Sequence, residues 1–583
     1  MEGTLSVELA RGDAAIDRIG DPGYLVAWER LHAACPWATS FQSPAFADAW
    51  YRLHEPLHEP VLVESRDGNG ELVGLLPLAR HRPGRRLVGV GGIHAEYQGW
   101  LSTPAATELF PPAALERLER EFPRGRVHFN YLAPGTPTAW TARDARWPGR
   151  IRLATRHRGL MDLSDPSAIE ASLRKGHNRS RMNTLRRVGE VSLETITSVD
   201  ALEAVIDEIG VLCDLRQGAV NDSLPFRNNP LKRPLHLALM ERGLLHVTIL
   251  RVGGAIASAH LDMRNGDEVL IYLITHSPFL ARQSPGSLHI LLLGQQLADL
   301  GFTRFDLSPG SGYKDRFATV REPIQRMSVQ FGIPDRIAAD VSARAVSVAT
   351  RVLAATGRTP AGARHEIRRL GARAATAVRR LPARDAPDAA YAVLRLPDRA
   401  PGAGSEPLAV DCLGDLLAFD PDRFGGLPLV RFLALAVHRL ELGHHVLTRL
   451  DGNALAECWW AARLAIQPSP ETNGRAPDSP RTALLVYDPF LSSRPPGSLT
   501  GGETLDRVAS VVDAMEPASA AYLAVAGRDG ELVQVLTRCG ASHLGDVRIE
   551  ARAGHPGSAG PDGLLEQLSA ALRRGWQTGP SAA

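Results

Sequence analysis

Between an apolar strand that ends at Ile274 and Thr275 and an apolar helix that begins near Ser287 lies the run Arg282-Gln283-Ser284-Pro285-Gly286-Ser287. A strand, a glycine-containing loop and a helix start make an anion site. Unpaired N–H groups point out of the first turn, the positive end of the helix dipole lies there, and Gly286 lets the backbone approach a phosphate closely. The same residues also fit an ordinary strand-to-helix turn, with Ser284 or Ser287 as N-cap and Pro285 in the first turn. Downstream, Phe305-Asp306-Leu307-Ser308-Pro309-Gly310 and Gly312-Tyr313-Lys314 set an acid, a phenol and a lysine just past the next strand, where catalytic groups collect. Acyl transfer to an amine needs a base for the amine proton, a donor for the leaving thiolate and a group that polarises the carbonyl. Asp306 is a candidate base and Tyr313 a candidate donor. Lys314 is a point charge for substrate or phosphate, or a salt-bridge partner of Asp306 or Asp315. Two histidines are further candidate bases near the same strand ends: His260, close to Asp262, and His276.

The elements that must hold these residues recur. Three times, at spacings of about 190 residues, the pattern reads strand, strand, strand, helix, strand. In the first copy the strands are Pro60–Glu64, Glu71–Ala79, Arg86–Val90 and Val127–Leu132, with a helix Ala113–Glu121 and a turn Asp67-Gly68-Asn69-Gly70. The second has Leu244–Arg251, Ala255–Met263, Val269–Thr275, helix Ser287–Leu300 and Thr303–Leu307. The third has His445–Leu450, Ala454–Leu464, Ala483–Tyr487, helix Glu503–Met515, Ala521–Ala526 and a last helix closing near Cys539-Gly540. Antiparallel strands followed by a helix that crosses to a parallel neighbour imply an α/β fold with mixed sheets and a site near the crossover. Residues 336–400, rich in Ala and Arg, read as a helical connector and linker between the second and third copies; 468–480 and the tail beyond 556 read as polar loops.

At 583 residues the chain is long enough for several domains. No apolar run is long enough to span a membrane and no secretory leader is visible, so a cytoplasmic protein is expected. The formal net charge of +2 provides no global field for nucleic acid or an anionic membrane. Five dispersed cysteines, Cys35, Cys213, Cys412, Cys458 and Cys539, form no CxxC pair, so neither a disulfide framework nor a metal site is expected. His444-His445, adjacent in a strand, point to opposite faces and do not chelate one ion together. Of 66 basic residues only Lys175, Lys232 and Lys314 are lysines. The densest cationic run is Arg174 to Arg187, either a solvated helix face or a docking surface for an anion.

With these residues in view, the chain resembles the acetyltransferase domain of the CelD/BcsL family, a branch of the GNAT (acyl-CoA N-acyltransferase) superfamily associated with cellulose and exopolysaccharide synthesis. The likeness spans about residues 20–330. Its marks are Phe41-Gln42-Ser43-Pro44 before Trp50, Gly74-Leu75-Leu76-Pro77-Leu78, Glu96-Tyr97, the run Arg174–Arg187, Ser284-Pro285-Gly286, Phe305-Asp306 and Tyr313-Lys314. It is also similar to Fem-type transferases, which pair two GNAT-like halves. The resemblance implies acetyl-CoA as acyl donor, bound by Ile274, Thr275 and Arg282 to Ser287, and a small-molecule or sugar acceptor. Gln283-Ser284-Pro285-Gly286-Ser287-Leu288 keeps one glycine of the superfamily loop. The expected organisation is a non-catalytic GNAT-like half over 1–155, a catalytic half over 156–335, the connector over 336–400, a GNAT-like domain over 401–556 and a tail over 557–583. In the last domain Arg494-Pro495-Pro496-Gly497 takes the loop position, and its two prolines remove N–H donors, which points to a degenerate copy. A Fem-like transferase using aminoacyl-tRNA and a non-catalytic scaffold of polysaccharide assembly are the competing readings.

Overall fold

The structure, a computed structural model, describes residues 5–332 apart from 83, 85, 145 and 310–312, and in the C-terminal part 388–396, 408–466 apart from 425, 481–491, 501–515, 520–526, 530–539 and 541–550. The chain forms two compact units.

The N-terminal unit has fifteen strands, of which β2–β4, β7 and β11–β14 answer the strand signals in the sequence: β1 (Val7–Arg11), β2 (His58–Arg66), β3 (Leu72–His81), β4 (Arg86–Gly89), β5 (Tyr97–Gln98), β6 (Leu101–Ser102), β7 (Arg126–Phe129), β8 (Tyr131–Leu132), β9 (Ile151–Asp162), β10 (Val191–Ile196), β11 (Leu245–Val252), β12 (Ala255–Asn265), β13 (Glu268–His276), β14 (Arg304–Asp306) and β15 (Val320–Gln330). Thirteen of them make one sheet in the order β1-β2-β3-β4-β7-β15-β9-β14-β13-β12-β11-β10, with β6 beside β3. Both expected crossovers are present: β4 runs parallel to β7, and β13 parallel to β14, each pair joined through a helix, Phe110–Glu121 and Pro285–Asp299.

The two halves exchange their closing strands. β15, last in the chain, pairs with β7 of the first half over Arg126–Phe129, while β9, which follows the first half in sequence, pairs with β14 of the second. β9 and β15 pair with each other from Ile151 to Leu160. The boundary expected near residue 155 therefore falls inside a strand that both halves need.

The C-terminal unit has seven strands: β16 (Asp388–Arg395), β17 (Ala409–Val410), β18 (His445–Asp451), β19 (Ala454–Ile466), β20 (Arg481–Leu491), β21 (Ala520–Ala526) and β22 (Ser542–Glu550). Their order, β17-β18-β19-β20-β21-β16-β22, repeats that of β10-β11-β12-β13-β14-β9-β15 strand for strand. Register shifts fall at matching places: Leu250/Arg251 and Arg449/Leu450 on the first hairpin, Leu261/Asp262 and Cys458/Trp460 on the second. Residues 388–395, read from sequence as part of the helical connector, are thus corrected to a strand. An Ala-rich stretch with helical periodicity is held extended by two neighbours, β21 and β22, that lie far off in sequence. Apart from Leu396, the rest of that connector, the loop 494–497, the stretch 468–480, Gly540 and the tail 557–583 lie outside the described residues.

Helix Pro285–Asp299 packs Ile290, Leu291, Leu293 and Leu297 against Met161, Ile271 and Phe305 of the sheet. Each such side chain contributes roughly 1.5–3 kcal/mol on burial. In the first half the crossover helix sits so close to β3 that a Cβ on Gly74 would lie 2.4 Å from the Phe110 ring. Among the described residues no helix is long and apolar enough to cross a membrane.

Gly74→Ala is expected to cost about 1–3 kcal/mol by forcing the Phe110 ring off its seat. Denaturant unfolding would read this as a lower midpoint at unchanged slope, and a wild-type midpoint would disprove the close approach.

Candidate active site

The segment carrying Phe41-Gln42-Ser43-Pro44 is a helix start. Ser43 accepts a hydrogen bond from Phe46 N at 3.2 Å with Pro44 in the first turn of helix Pro44–His54. Just ahead of it, Gln42 Nε2 donates to Tyr97 O at 2.8 Å. That contact fixes Glu96-Tyr97 at the seam between the halves. Tyr97 OH donates to Asp306 Oδ2 at 2.5 Å, so a first-half phenol meets the second-half carboxylate that the sequence singled out.

Asp306 ends β14 and is buried, with both oxygens engaged. Arg158 Nη1 donates to Oδ2 at 2.7 Å, and Oδ1 accepts from Ser308 N at 2.8 Å. Arg158, in the middle of β9 and 3% exposed, also reaches Glu322 Oε2 through Nη2 at 2.6 Å and Glu268 Oε2 through Nη1 at 3.4 Å. Burial works against the guanidinium's charge, but Asp306, Tyr97 and Glu268 outweigh it and push its pKa up. Burial, and then Asp306, push the Tyr97 phenol well above its usual range. Arg158 lies outside the sequence motifs, and because Arg152 and Arg156 share its strand-like run, the sequence does not single it out.

Glu96 is half-buried in the same place. Burial pushes its carboxyl up to about 7; Asp306 adds to this, while Lys314 and Arg326 hold it down. Lys314 donates to Ser308 Oγ at 2.7 Å, which keeps it beside the cluster. Tyr313 is 36% exposed, next to the undescribed residues 310–312. His260, expected beside the cleft, is instead sealed between β12 and helix Pro285–Asp299, 0% exposed. Its ring is 4.5 Å from that of His289, with Asp262 Oδ1 3.4 Å from Nδ1. Burial, and then Lys314, push it down to about 3, so it stays neutral and out of reach of a substrate.

The other expected group assembles as a loop against the end of β13. Ser284 takes a left-handed backbone (φ 51°) at the head of helix Pro285–Asp299, and its side chain makes no capping bond. A right-handed to left-handed turn of this kind gathers N–H groups into an anion-binding concavity. Pro285 has no N–H, and Ser287 N and Leu288 N both return to Ser284 O, so Gly286 N–H is the remaining donor of that turn. A Cβ on Gly286 would meet His276 Nδ1, Ser258 Oγ and Ile274 Cδ1 at 3.6–3.9 Å, ordinary contact distances. The fold thus tolerates a small side chain there, and its absence leaves clearance. Thr275 Oγ1 and Gln283 Oε1 are buried without partners, Arg282 is exposed, and Arg316 Nη2 donates to Ser287 Oγ at 2.5 Å. The basic run becomes two helices, Ser167–Arg174 and Gly176–Val188, and the second packs on the turn Pro278–Gln283. Arg179, Arg186 and Arg187 are exposed.

Residues 171–315 match the acetyltransferase (GNAT) domain family. The matched domain thus contains the loop 282–287, Asp306, Tyr313 and Lys314, and the fold class is the expected α/β arrangement of GNAT-like units on mixed sheets. No curated protein matches the chain. Similar solved structures include FemX (TM-score 0.38, 10% identity, covering 52% of this chain and 95% of that one). L-PGS from Bacillus licheniformis is another (0.35, 12%, 54% and 95%), as is a tandem GNAT protein from the clavulanic acid biosynthesis pathway (0.34, 14%, 56% and 99%). Likeness at this level carries no argument about chemistry.

In the C-terminal unit His444 bonds the Tyr487 hydroxyl and His445 Nδ1 lies 2.8 Å from Asp411 Oδ2, so the two rings serve different partners.

Arg158→Met is expected to cost about 3–5 kcal/mol because it strands Asp306 as a buried, uncompensated charge. The double variant Arg158→Met/Asp306→Leu should recover much of that loss in chemical unfolding. Equal losses in the single and double variants would show that the charge pair is not what holds the seam.

Proposed function

We propose that the N-terminal unit transfers an acetyl or short acyl group from acyl-CoA to an amine or hydroxyl acceptor lodged between its two halves. The match of residues 171–315 to the GNAT domain carries this reading. The matched family is described at that level only, and it lends no support to the CelD/BcsL branch or a role in cellulose or exopolysaccharide synthesis. The loop supports the acyl-CoA donor: Gly286 N–H and Arg282 suit its phosphates, with Ile274, Thr275, Gln283, Ser284, Pro285 and Ser287 lining its path. Bound acyl-CoA supplies an activated thioester.

The base is proposed to be Glu96 in place of Asp306 or His260. A base needs an open acceptor oxygen and a pKa near the working pH. Asp306 has both oxygens engaged by Tyr97, Arg158 and Ser308 N, whereas Glu96 is held near 7 and is partly exposed. As the acceptor nitrogen or oxygen bonds to the acyl carbon, Glu96 takes its proton; the carbon–sulfur bond breaks and the thiolate receives a proton from Tyr313. Lys314 offsets the charge that builds on the carbonyl oxygen. In this scheme the first half is a catalytic partner rather than a passive wall.

Glu96→Gln should lower turnover by roughly 10²–10⁴-fold while leaving acyl-CoA affinity unchanged. The wild-type rate should climb with pH to a plateau above about 7, and the variant should lose that limb. A carboxyl whose pKa is raised on folding binds its proton more tightly in the folded state, so its stabilising contribution fades as pH rises through 7. The variant should therefore melt no lower than wild type at pH 8. Turnover within a few-fold of wild type would remove Glu96 as the base.

A second reading, transfer from aminoacyl-tRNA, is favoured by Arg179, Arg186 and Arg187, exposed on a helix that packs on the loop. Calorimetry with acetyl-CoA and with total tRNA separates the two. Saturable acetyl-CoA binding that Gly286→Leu abolishes in a folded protein supports the first, and tRNA binding alone supports the second. Binding of neither leaves the scaffold reading.

A further inference from the structure

Away from the loop, on the first half, one row of the sheet carries charges that oppose one another. Arg86 opens β4 and Arg126 opens the parallel β7, and the two stand in register. Across the next pairing Arg126 stands opposite Gln330 of β15, so three polar side chains from adjacent strands line up about 4.8 Å apart. One step along, Val88, His128 and Ser328 form the next row on the same face, with His128 Nδ1 2.8 Å from Ser328 Oγ. Arg86, Arg126, His128, Ser328 and Gln330 line an open recess of about 210 Å³.

The equivalent position in the second half shows what is unusual here. There the first residues of the parallel pair are Glu268 and Arg304, which form a salt bridge at 3.0 Å. In the first half both are arginine. Neither Arg86 nor Arg126 has an ion-pair partner among the described residues, and burial and then Arg126 push the Arg86 pKa down. His128 is pushed down to about 4 by burial, then by Arg86, Arg326 and Arg126. Gln330 is 8% exposed, and its Oε1 is buried without a partner at the wall of the recess. Two adjacent guanidiniums, a hydroxyl, an imidazole and an unsatisfied amide that either orientation can turn toward a ligand are the donor set of a phosphoryl site.

We propose that Arg86, Arg126, His128, Ser328 and Gln330 bind the phosphoryl group of a small phosphorylated molecule. The phosphoryl site does not depend on the acyl-transfer reading.

The test is phosphorus NMR and calorimetry on the full chain with inorganic phosphate and phenyl phosphate, at constant ionic strength set with sodium chloride. Wild type should bind both saturably. Arg86→Ala/Arg126→Ala should weaken binding by about tenfold or more. Arg86→Glu reproduces the Glu–Arg pairing of the second half, and should melt at or above the wild-type temperature while losing phosphate. Gly286→Leu should lose acetyl-CoA and keep phosphate within about twofold. Phosphate affinity unchanged in the arginine variants, or lost in Gly286→Leu instead, would overturn the site. Loss of acetyl-CoA binding by every form, with phosphate binding intact, would overturn the acyl-transfer reading and leave the site standing.

Discussion

Arg158 lies in the strand that both halves share, nearly sealed from solvent, and its charge is answered by carboxylates from three other strands: Glu268 of β13, Asp306 of β14 and Glu322 of β15. A buried guanidinium is tolerable only where such partners are in place. Each of those strands must therefore arrive in one register. Tyr97 closes the group from the first half, so the same charge that aligns the strands also sets the distance between the halves. Asp306 is thereby consumed as a structural counter-charge. Glu96, one residue from Tyr97, is half-buried, and the low-dielectric setting that suits the cluster is what raises its pKa.

The exchange of β9 and β15 makes this arrangement hard to divide. β15 supplies the strand that borders β7, and β9 the strand that borders β14, so neither half can complete its edge from its own stretch of chain. An unpaired β7 would present an open row of N–H and C=O groups. The C-terminal unit follows the same strand order with β16 and β22 in the places of β9 and β15, and carries its register shifts at the same points. One scaffold thus recurs, and the residues on it differ. The first row of the parallel pair is Arg86 and Arg126 in the first half, Glu268 and Arg304 in the second, and Ala483 and Ala520 in the C-terminal unit. Fold and site chemistry vary independently, and each copy has to be read from its own side chains.

Much of the scaffold was visible in the sequence because hairpins and crossovers are local. Turns such as Asp67-Gly68-Asn69-Gly70 and Asn265-Gly266-Asp267, period-two alternation and the apolar helix after Ser284 are written within a few residues of one another, and the structure places strands and helices there. The loop from Arg282 to Ser287 was legible for the same reason: a helix start is a local event. The match of residues 171–315 to the GNAT domain agrees with the α/β reading of this stretch.

What the sequence determined by itself, then, is the repeated unit and its crossovers, because side-chain period and turn chemistry act over a few residues. What only the tertiary structure decided is that Asp306 is engaged by Arg158 and Tyr97, that residues 388–395 are a strand, and that Arg86 faces Arg126. Those outcomes depend on neighbours brought together from distant parts of the chain. Tyr97 and Asp306 are 209 residues apart, and Arg158 and Glu322 are 164 apart. No pattern within one segment encodes the burial and charge that such a partner imposes.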